Sequence, residues 1–189
     1  MLFFRNRRST RQAASEYATR SDFQKIFSED MAGLHLLAYL LTADDERAEE
    51  VFVAGLDDTI NGNSVFRQWA RSWSQRAIIK RAIKAIAPSP EEDHIASGPM
   101  HQTSRQELDA LVRVTSQLNT FQRFVFVLSI LEGYSNMECA ALLACRVADV
   151  ISAKAFSLQK VSAAAQREPA IADHSVDSLR SLFRVAQAG

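Results

Sequence analysis

Basic and aromatic side chains alternate in residues 65–87, which hold six Arg or Lys residues and no acidic one. Trp69 and Trp73 lie about one helical turn apart in this stretch. Cations so placed can follow the phosphates of a single nucleic-acid strand while the rings stack on its unpaired bases. The pattern therefore favours a site for single-stranded nucleic acid. In the alternative interpretation, the tryptophans are core residues of an amphipathic helix and the cations form a solvated face.

A second pattern, between residues 133 and 152, is typical of a helix-turn-helix. Gly133 ends one helix, and Ser135 with Glu138 forms an S-x-x-E capping box that begins the next. After two apolar turns, a short connection at residues 144–146 leads into a further helix. In this layout the second helix enters the major groove of DNA. Small helical proteins also produce this pattern without binding DNA.

The chain lacks the residue patterns that are typical of metal binding, nucleotide binding or catalysis. The four histidines and two cysteines lack metal-ligand spacing, and no glycine-rich phosphate loop occurs. Two cysteines cannot form a disulfide framework, so we expect a reducing cytoplasm. No apolar run approaches the ~20 residues of a membrane span, and the N-terminus lacks a secretory signal. We therefore expect no membrane insertion, no metal, no cofactor and no enzymatic activity.

Charge is segmented although the formal net charge is zero. Residues 28–64 carry −8, and residues 65–87 carry +6. The acidic block suits a basic protein surface, and the basic block suits phosphate. Since no acid lies within the basic block, we expect Arg71, Arg76 and Lys80 to be free for phosphate. Alternatively, both blocks are solvated helix faces.

Only six glycines and four prolines occur in 189 residues, which predicts an all-α protein. Residues 88–105 hold three of the four prolines and lack apolar periodicity, so we expect a flexible joint there. A long helix is expected over 65–87, with Ser64 as its N-cap. The predicted organisation is two helical domains between a basic arm and a tail: 1–21 arm, 22–87 first domain, 88–105 linker, 106–166 second domain, 167–189 tail.

In this order, the two halves resemble a bacterial sigma factor of the extracytoplasmic-function type. LLTADDERAEEV at residues 40–51 is similar to the acidic helix of sigma region two. FRQWARSWSQRA at residues 66–77 resembles the next helix, which in the family engages the melted −10 promoter element. LNTFQRFVFVL at residues 118–128, with LEGYS at 131–135 and the helix-turn-helix, resembles region four, which binds the −35 element and polymerase.

The resemblance implies the partners core RNA polymerase and promoter DNA, with an anti-sigma factor as a further one. It implies polymerase contacts at Glu46, Glu49 and Glu50. It implies −10 contacts at Arg67, Arg71, Trp73, Arg76, Lys80 and Arg81. It implies −35 contacts at Ser135, Arg146, Asp149, Ser152 and Lys154. In this interpretation RNA polymerase, and not this chain, would carry the catalytic residues.

Two departures from the family pattern keep alternatives open. Residues 52–56 are apolar where the family is polar, and after the turn the second helix offers only Lys154 and Lys160, with Arg146 before it. A sigma mimic would keep the fold and bind an anti-sigma factor or polymerase without reading promoters. An unrelated helical scaffold or enzyme is the third alternative.

Overall fold

The computed structural model describes residues 16–91, 106–167 and 176–187. Most of the predicted arm and linker, and part of the predicted tail, lie outside the described residues. Within them the chain forms nine α-helices and no strand, which confirms the all-α prediction. The helices are α1 (Arg20–Glu29), α2 (Met31–Thr42), α3 (Asp45–Asn61), α4 (Ala70–Ile86), α5 (Gln106–Ser116), α6 (Thr120–Phe126), α7 (Asn136–Leu143), α8 (Val147–Arg167) and α9 (Val176–Gln187). A 3-10 turn, Arg67–Trp69, precedes α4, and a π-helical turn, Val127–Leu131, follows α6.

Capping boxes set the start of several helices, including the predicted one. The Ser135 N–H donates to Glu138 Oε2 at 2.8 Å, and the Glu138 N–H donates to Ser135 Oγ at 3.2 Å. Asn119 with Gln122 forms the same arrangement at the start of α6. Each box satisfies backbone donors that a helix start leaves unpaired. The predicted start of α7 is therefore confirmed at Ser135.

The helix predicted from residue 65 begins later than expected, and Ser64 is not its cap. Phe66 has extended backbone (φ −59°, ψ 136°) and pairs with Tyr17 in an isolated antiparallel bridge. The Ala18 N–H donates to the Val65 carbonyl at 2.7 Å. Because that carbonyl is already paired in the bridge, α4 begins only after the 3-10 turn.

Close packing of α3 on α4 depends on a glycine. A Cβ at Gly55 would lie 2.6 Å from Cδ1 of Ile78, closer than side-chain carbons approach one another. The absence of a side chain at this position lets the two helices carry the acidic and basic segments side by side.

Buried apolar side chains of both halves form one continuous cluster. Helix α2 contacts α5, α6 and α9, all from the second half of the chain. The Arg123 Nε on α6 donates to the Leu41 carbonyl on α2 at 3.3 Å. Inside the predicted tail, α9 buries Leu179 and Phe183. The boundaries of the two predicted domains stay a prediction, and the described parts of these halves pack against each other.

No described helix has the length and apolar character needed to cross a membrane. The described residues also contain no group of three or more His, Cys, Asp or Glu side chains that could hold a metal ion. Both cysteines are free, and burial raises the pKa of the Cys139 thiol to about 11. Since the thiolate is the reactive form, Cys139 is inert at neutral pH.

Candidate functional site

Three arginines of the basic segment form ion pairs with acids from other helices. Arg67 lies 3.2 Å from the Asp22 carboxylate. Arg71 pairs with Asp30, and Arg81 binds Asp58 through two of its nitrogens. The expectation that Arg71 is free for phosphate is therefore wrong, because the neutralising acid comes from the end of α1 rather than from the same segment.

These ion pairs reduce the charge of the basic surface without covering it. The Arg81 guanidinium holds the pKa of Asp58 below its usual range, and hydrogen bonds from Thr19 do the same for Asp22. The side chains of Arg67 and Arg71 remain about half exposed, at 51% and 53%. A guanidinium carries five N–H donors, and a carboxylate uses at most a few of them. Donors of Arg67 and Arg71 therefore remain for a phosphate.

Arg76 and Lys80 are exposed on α4. The Lys80 ammonium lies 5.6 Å from the centre of the Trp73 ring, within the range of a cation–π contact. Hydrogen bonds from Ser135 are the main cause of the lowered pKa of Glu138, and the positive charge of Arg76 contributes to it. Arg76 therefore lies within electrostatic reach of the start of α7.

The two tryptophans have different surroundings from those expected. Trp73 is half-buried against a small cluster made by Phe23, Val65 and Ala70. Trp69 is 55% exposed, so it is not a core residue. Of the two, Trp69 is the ring available for stacking, although Trp73 was the predicted contact.

Trp69 belongs to a set of three neighbouring rings. The Tyr17 and Phe66 rings stack with centroids 4.8 Å apart and an interplanar angle of 19°. Phe66 meets Trp69 edge-on, at 5.2 Å and 86°. Sequence reasoning missed Tyr17, which no motif marks and which the backbone bridge to Phe66 brings into place. The sequence does indicate Phe66, because it lies three residues before Trp69 and this spacing predicts two rings on one side of a helix.

The predicted polymerase contacts share one exposed face of α3. Glu46, Glu49 and Glu50 are exposed, and so are Val53 and Asp57 further along the same side. Their spacing of three and four residues places them in one stripe. Val53, at 57% exposure, belongs to the apolar run at residues 52–56 and lies in the middle of this acidic face.

The predicted −35 contacts do not form a free cationic surface. Arg146 binds Asp149 through two hydrogen bonds, Nε to Oδ2 at 2.9 Å and Nη2 to Oδ1 at 2.7 Å. This pairing raises the pKa of Arg146 and lowers that of Asp149, so both groups stay charged and offset each other. The Ser135 hydroxyl donates to Glu138 at 2.7 Å within the capping box. Lys154 is half-buried, and Ser152 is exposed.

Comparison with known proteins adds no family to these observations. No family model matches the chain, and no curated protein matches it. The relationship to sigma factors therefore stays a prediction that depends on the residues quoted above.

Proposed function

We propose that the chain is a sigma-factor-like transcription initiation protein that binds core RNA polymerase and the open −10 strand of promoter DNA in the cytoplasm. The observation that carries the proposal is the exposed Trp69 ring beside two half-exposed arginines, Arg67 and Arg71. This group lies in the segment that the resemblance assigns to the −10 element. It combines a stacking platform with phosphate donors, the two features that single-strand binding requires.

Phosphate contacts in this proposal come from two kinds of cation. Arg76 and Lys80 are exposed and offer their full charge, whereas Arg67 and Arg71 offer the donors that their acids leave free. Arg81 is bound to Asp58 by two nitrogens, so its part is to join α3 to α4 rather than to hold DNA.

Polymerase binding is assigned to the acidic face of α3. Glu46, Glu49 and Glu50 would meet a basic surface of polymerase, and the central Val53 would lie against an apolar spot within it. Charge of this kind raises the rate of association and makes it dependent on salt.

Strand binding is tested by fluorescence anisotropy with a labelled 12-nucleotide single strand and the matching duplex. We expect Trp69→Ala to weaken single-strand binding about tenfold or more, because a stacked base contributes about 1–3 kcal/mol. Trp69→Phe keeps a ring and should restore most of the affinity. Val185→Ala, at an equally exposed apolar residue on α9, is the control. Unchanged binding by Trp69→Ala, or tighter binding of the duplex than of the strand, would contradict the assignment.

Polymerase binding is tested by reversing charge on α3. The double variant Glu49→Lys and Glu50→Lys should bind core polymerase more weakly and with less dependence on salt. Glu29→Lys, which reverses one exposed acid on α1, is the control for a charge reversal outside α3. Equal affinity of the double variant and the wild type would exclude α3 as the contact.

A sigma mimic is the second candidate function, and the low free positive charge of α8 favours it. Arg146 is neutralised by Asp149, so the predicted recognition helix has little free charge for duplex phosphates. Permanganate footprinting of promoter templates with core polymerase separates the two functions. Promoter opening supports a sigma factor, whereas polymerase binding without opening of any genomic promoter supports the mimic.

A further inference from the structure

Tyr17 lies beside the start of α4, although it precedes α1 in the chain. Its backbone pairs with Phe66 in the isolated bridge, and the neighbouring Ala18 N–H donates to the Val65 carbonyl at 2.7 Å. The residues that follow are fixed as well, because they form the capping box that begins α1. These bonds hold Tyr17 in place before a ligand binds, so its ring needs little ordering on binding.

The rings of Tyr17 and Trp69 both lie against Phe66, and both residues are exposed, at 38% and 55%. Because Tyr17 stacks on Phe66, the exposed surface of its ring is the rim and the opposite face. The Phe66 centroid lies 4.8 Å from that of Tyr17 and 5.2 Å from that of Trp69, so the outer two centroids are at most 10 Å apart. Neighbouring nucleotides of one strand can therefore reach both rings.

The two exposed rings are steeply inclined to each other. The Phe66 plane makes an angle of 19° with Tyr17 and of 86° with Trp69, so the planes of Tyr17 and Trp69 differ by at least 67°. Successive bases that stack on each other in a strand are parallel and about 3.4 Å apart. Two bases that lie flat on these two rings are therefore not stacked on each other. A strand that uses both rings must be unstacked between them.

We propose that Tyr17 is a second stacking platform of the strand-binding site, and that the site takes a single strand unstacked between the base on Tyr17 and the base on Trp69. This inference rests on the strand binding proposed above, and it adds a residue outside the resemblance and a preferred kind of strand. Arg67, half-exposed and located between Phe66 and Trp69 in the chain, keeps donors for a phosphate of that strand. Thymines stack on one another more weakly than adenines, so oligo(dT) needs less free energy for this unstacking than oligo(dA).

The test measures binding of labelled 12-nucleotide oligo(dT) and oligo(dA) strands to the full chain by fluorescence anisotropy. We expect the wild type to bind oligo(dT) at least fivefold tighter than oligo(dA). Tyr17→Leu keeps the backbone bridge and an apolar contact with Phe66 but removes the aromatic ring. It should weaken oligo(dT) binding at least fivefold, the lower end of what one stacked base contributes, and oligo(dA) binding less than twofold.

Two further variants are matched to Tyr17→Leu. Tyr17→Phe keeps the ring and should bind both strands like the wild type. Phe156→Leu removes an equally accessible ring on α8, where Phe156 is 57% exposed, and should leave the affinity for both strands unchanged. Circular dichroism with urea unfolding verifies that each variant folds.

Tryptophan fluorescence separates a contact of Tyr17 with the strand from an effect of Tyr17 on Trp69. In a Trp73→Phe background Trp69 is the only tryptophan, and adding Tyr17→Leu should leave its emission maximum and its quenching by acrylamide unchanged. A changed emission, or an equal loss of affinity for both strands, would show that Tyr17 acts through the fold and would overturn the proposal.

The remaining outcomes distinguish this inference from the function on which it rests. If the wild type binds oligo(dA) as tightly as oligo(dT), the two-ring site is wrong. If Trp69→Ala weakens oligo(dT) binding and Tyr17→Leu does not, strand binding stands and the second platform is refuted. If neither variant weakens it, both proposals fail.

Discussion

Replacing Arg123 by methionine should change the free energy of unfolding by no more than about 2 kcal/mol, although this side chain is almost fully buried. Arg123 is 1% exposed on α6, and its Nε donates to the Leu41 carbonyl at the end of α2. Its Nη1 has no hydrogen-bond partner among the described residues. Burial lowers the pKa of the guanidinium to about 10, so it stays protonated at neutral pH. The folded protein therefore holds a desolvated cation between its two halves.

The magnitude follows from opposing contributions. The lowering of the Arg123 pKa by burial, to about 10, corresponds to a cost of about 3 kcal/mol for holding the charge in the folded state. The charge-assisted hydrogen bond to Leu41 returns about 1.5–3 kcal/mol. Methionine has a similar length and removes all these contributions together, so they nearly cancel.

Urea unfolding followed by circular dichroism measures the difference. Phe124→Ala is the comparison, because it truncates a fully buried neighbour and should cost about 3–5 kcal/mol. A loss above about 4 kcal/mol for Arg123→Met would refute the reasoning, since the buried cation would then be a large net source of stability.

Three further substitutions test the packing and the caps by the same urea measurement. Gly55→Ala should lose about 1–2 kcal/mol, because overpacking against Ile78 outweighs the gain in helix propensity; a gain would contradict the close approach of α3 and α4. Ser135→Ala should cost about 1 kcal/mol at pH 7. Hydrogen bonds from Ser135 lower the pKa of Glu138, so this stability exists above the unfolded pKa and is lost as pH falls. The difference between wild type and variant should therefore shrink as Glu138 becomes protonated, but not vanish, because the bond from the Glu138 N–H to Ser135 Oγ does not titrate. Leu179→Ala should cost about 2–5 kcal/mol, and a cost below 1 kcal/mol would show that α9 does not pack as described.

Local signals predicted the helical class and the start of α7 correctly. Because glycine and proline are scarce in every segment, each segment favours helix over turn or strand. The Ser135–Glu138 box involves residues only three apart. Such features depend on the neighbouring chain alone, so they can be read from the sequence.

The exposure of Trp69 could not be predicted in the same way. The apolar stripe that placed it beside Trp73 assumes a helix from residue 65. In the structure Trp69 is the N-cap of α4, with φ −105° and ψ 0°, so its ring leaves the helical stripe. The cause is the bridge between Tyr17 and Phe66, which joins residues almost fifty positions apart. No periodicity within the segment contains that information.

The charge that remains unpaired in the folded protein is the other property that a count of charges along the sequence does not predict. The acidic and basic blocks partly cancel in three dimensions, because Asp30 binds Arg71 and Asp58 binds Arg81. The paired acids are those that lie next to α4. The exposed acids of α3, Glu46, Glu49 and Glu50, are not among them. The polymerase contact that we propose for this face would therefore keep its full charge, whereas the proposed strand binding would depend on fewer cations and more on the Trp69 ring. By this reasoning sequence charge describes the proposed polymerase surface best, and in the proposed strand binding, stacking on Trp69 would have to supply what charge does not.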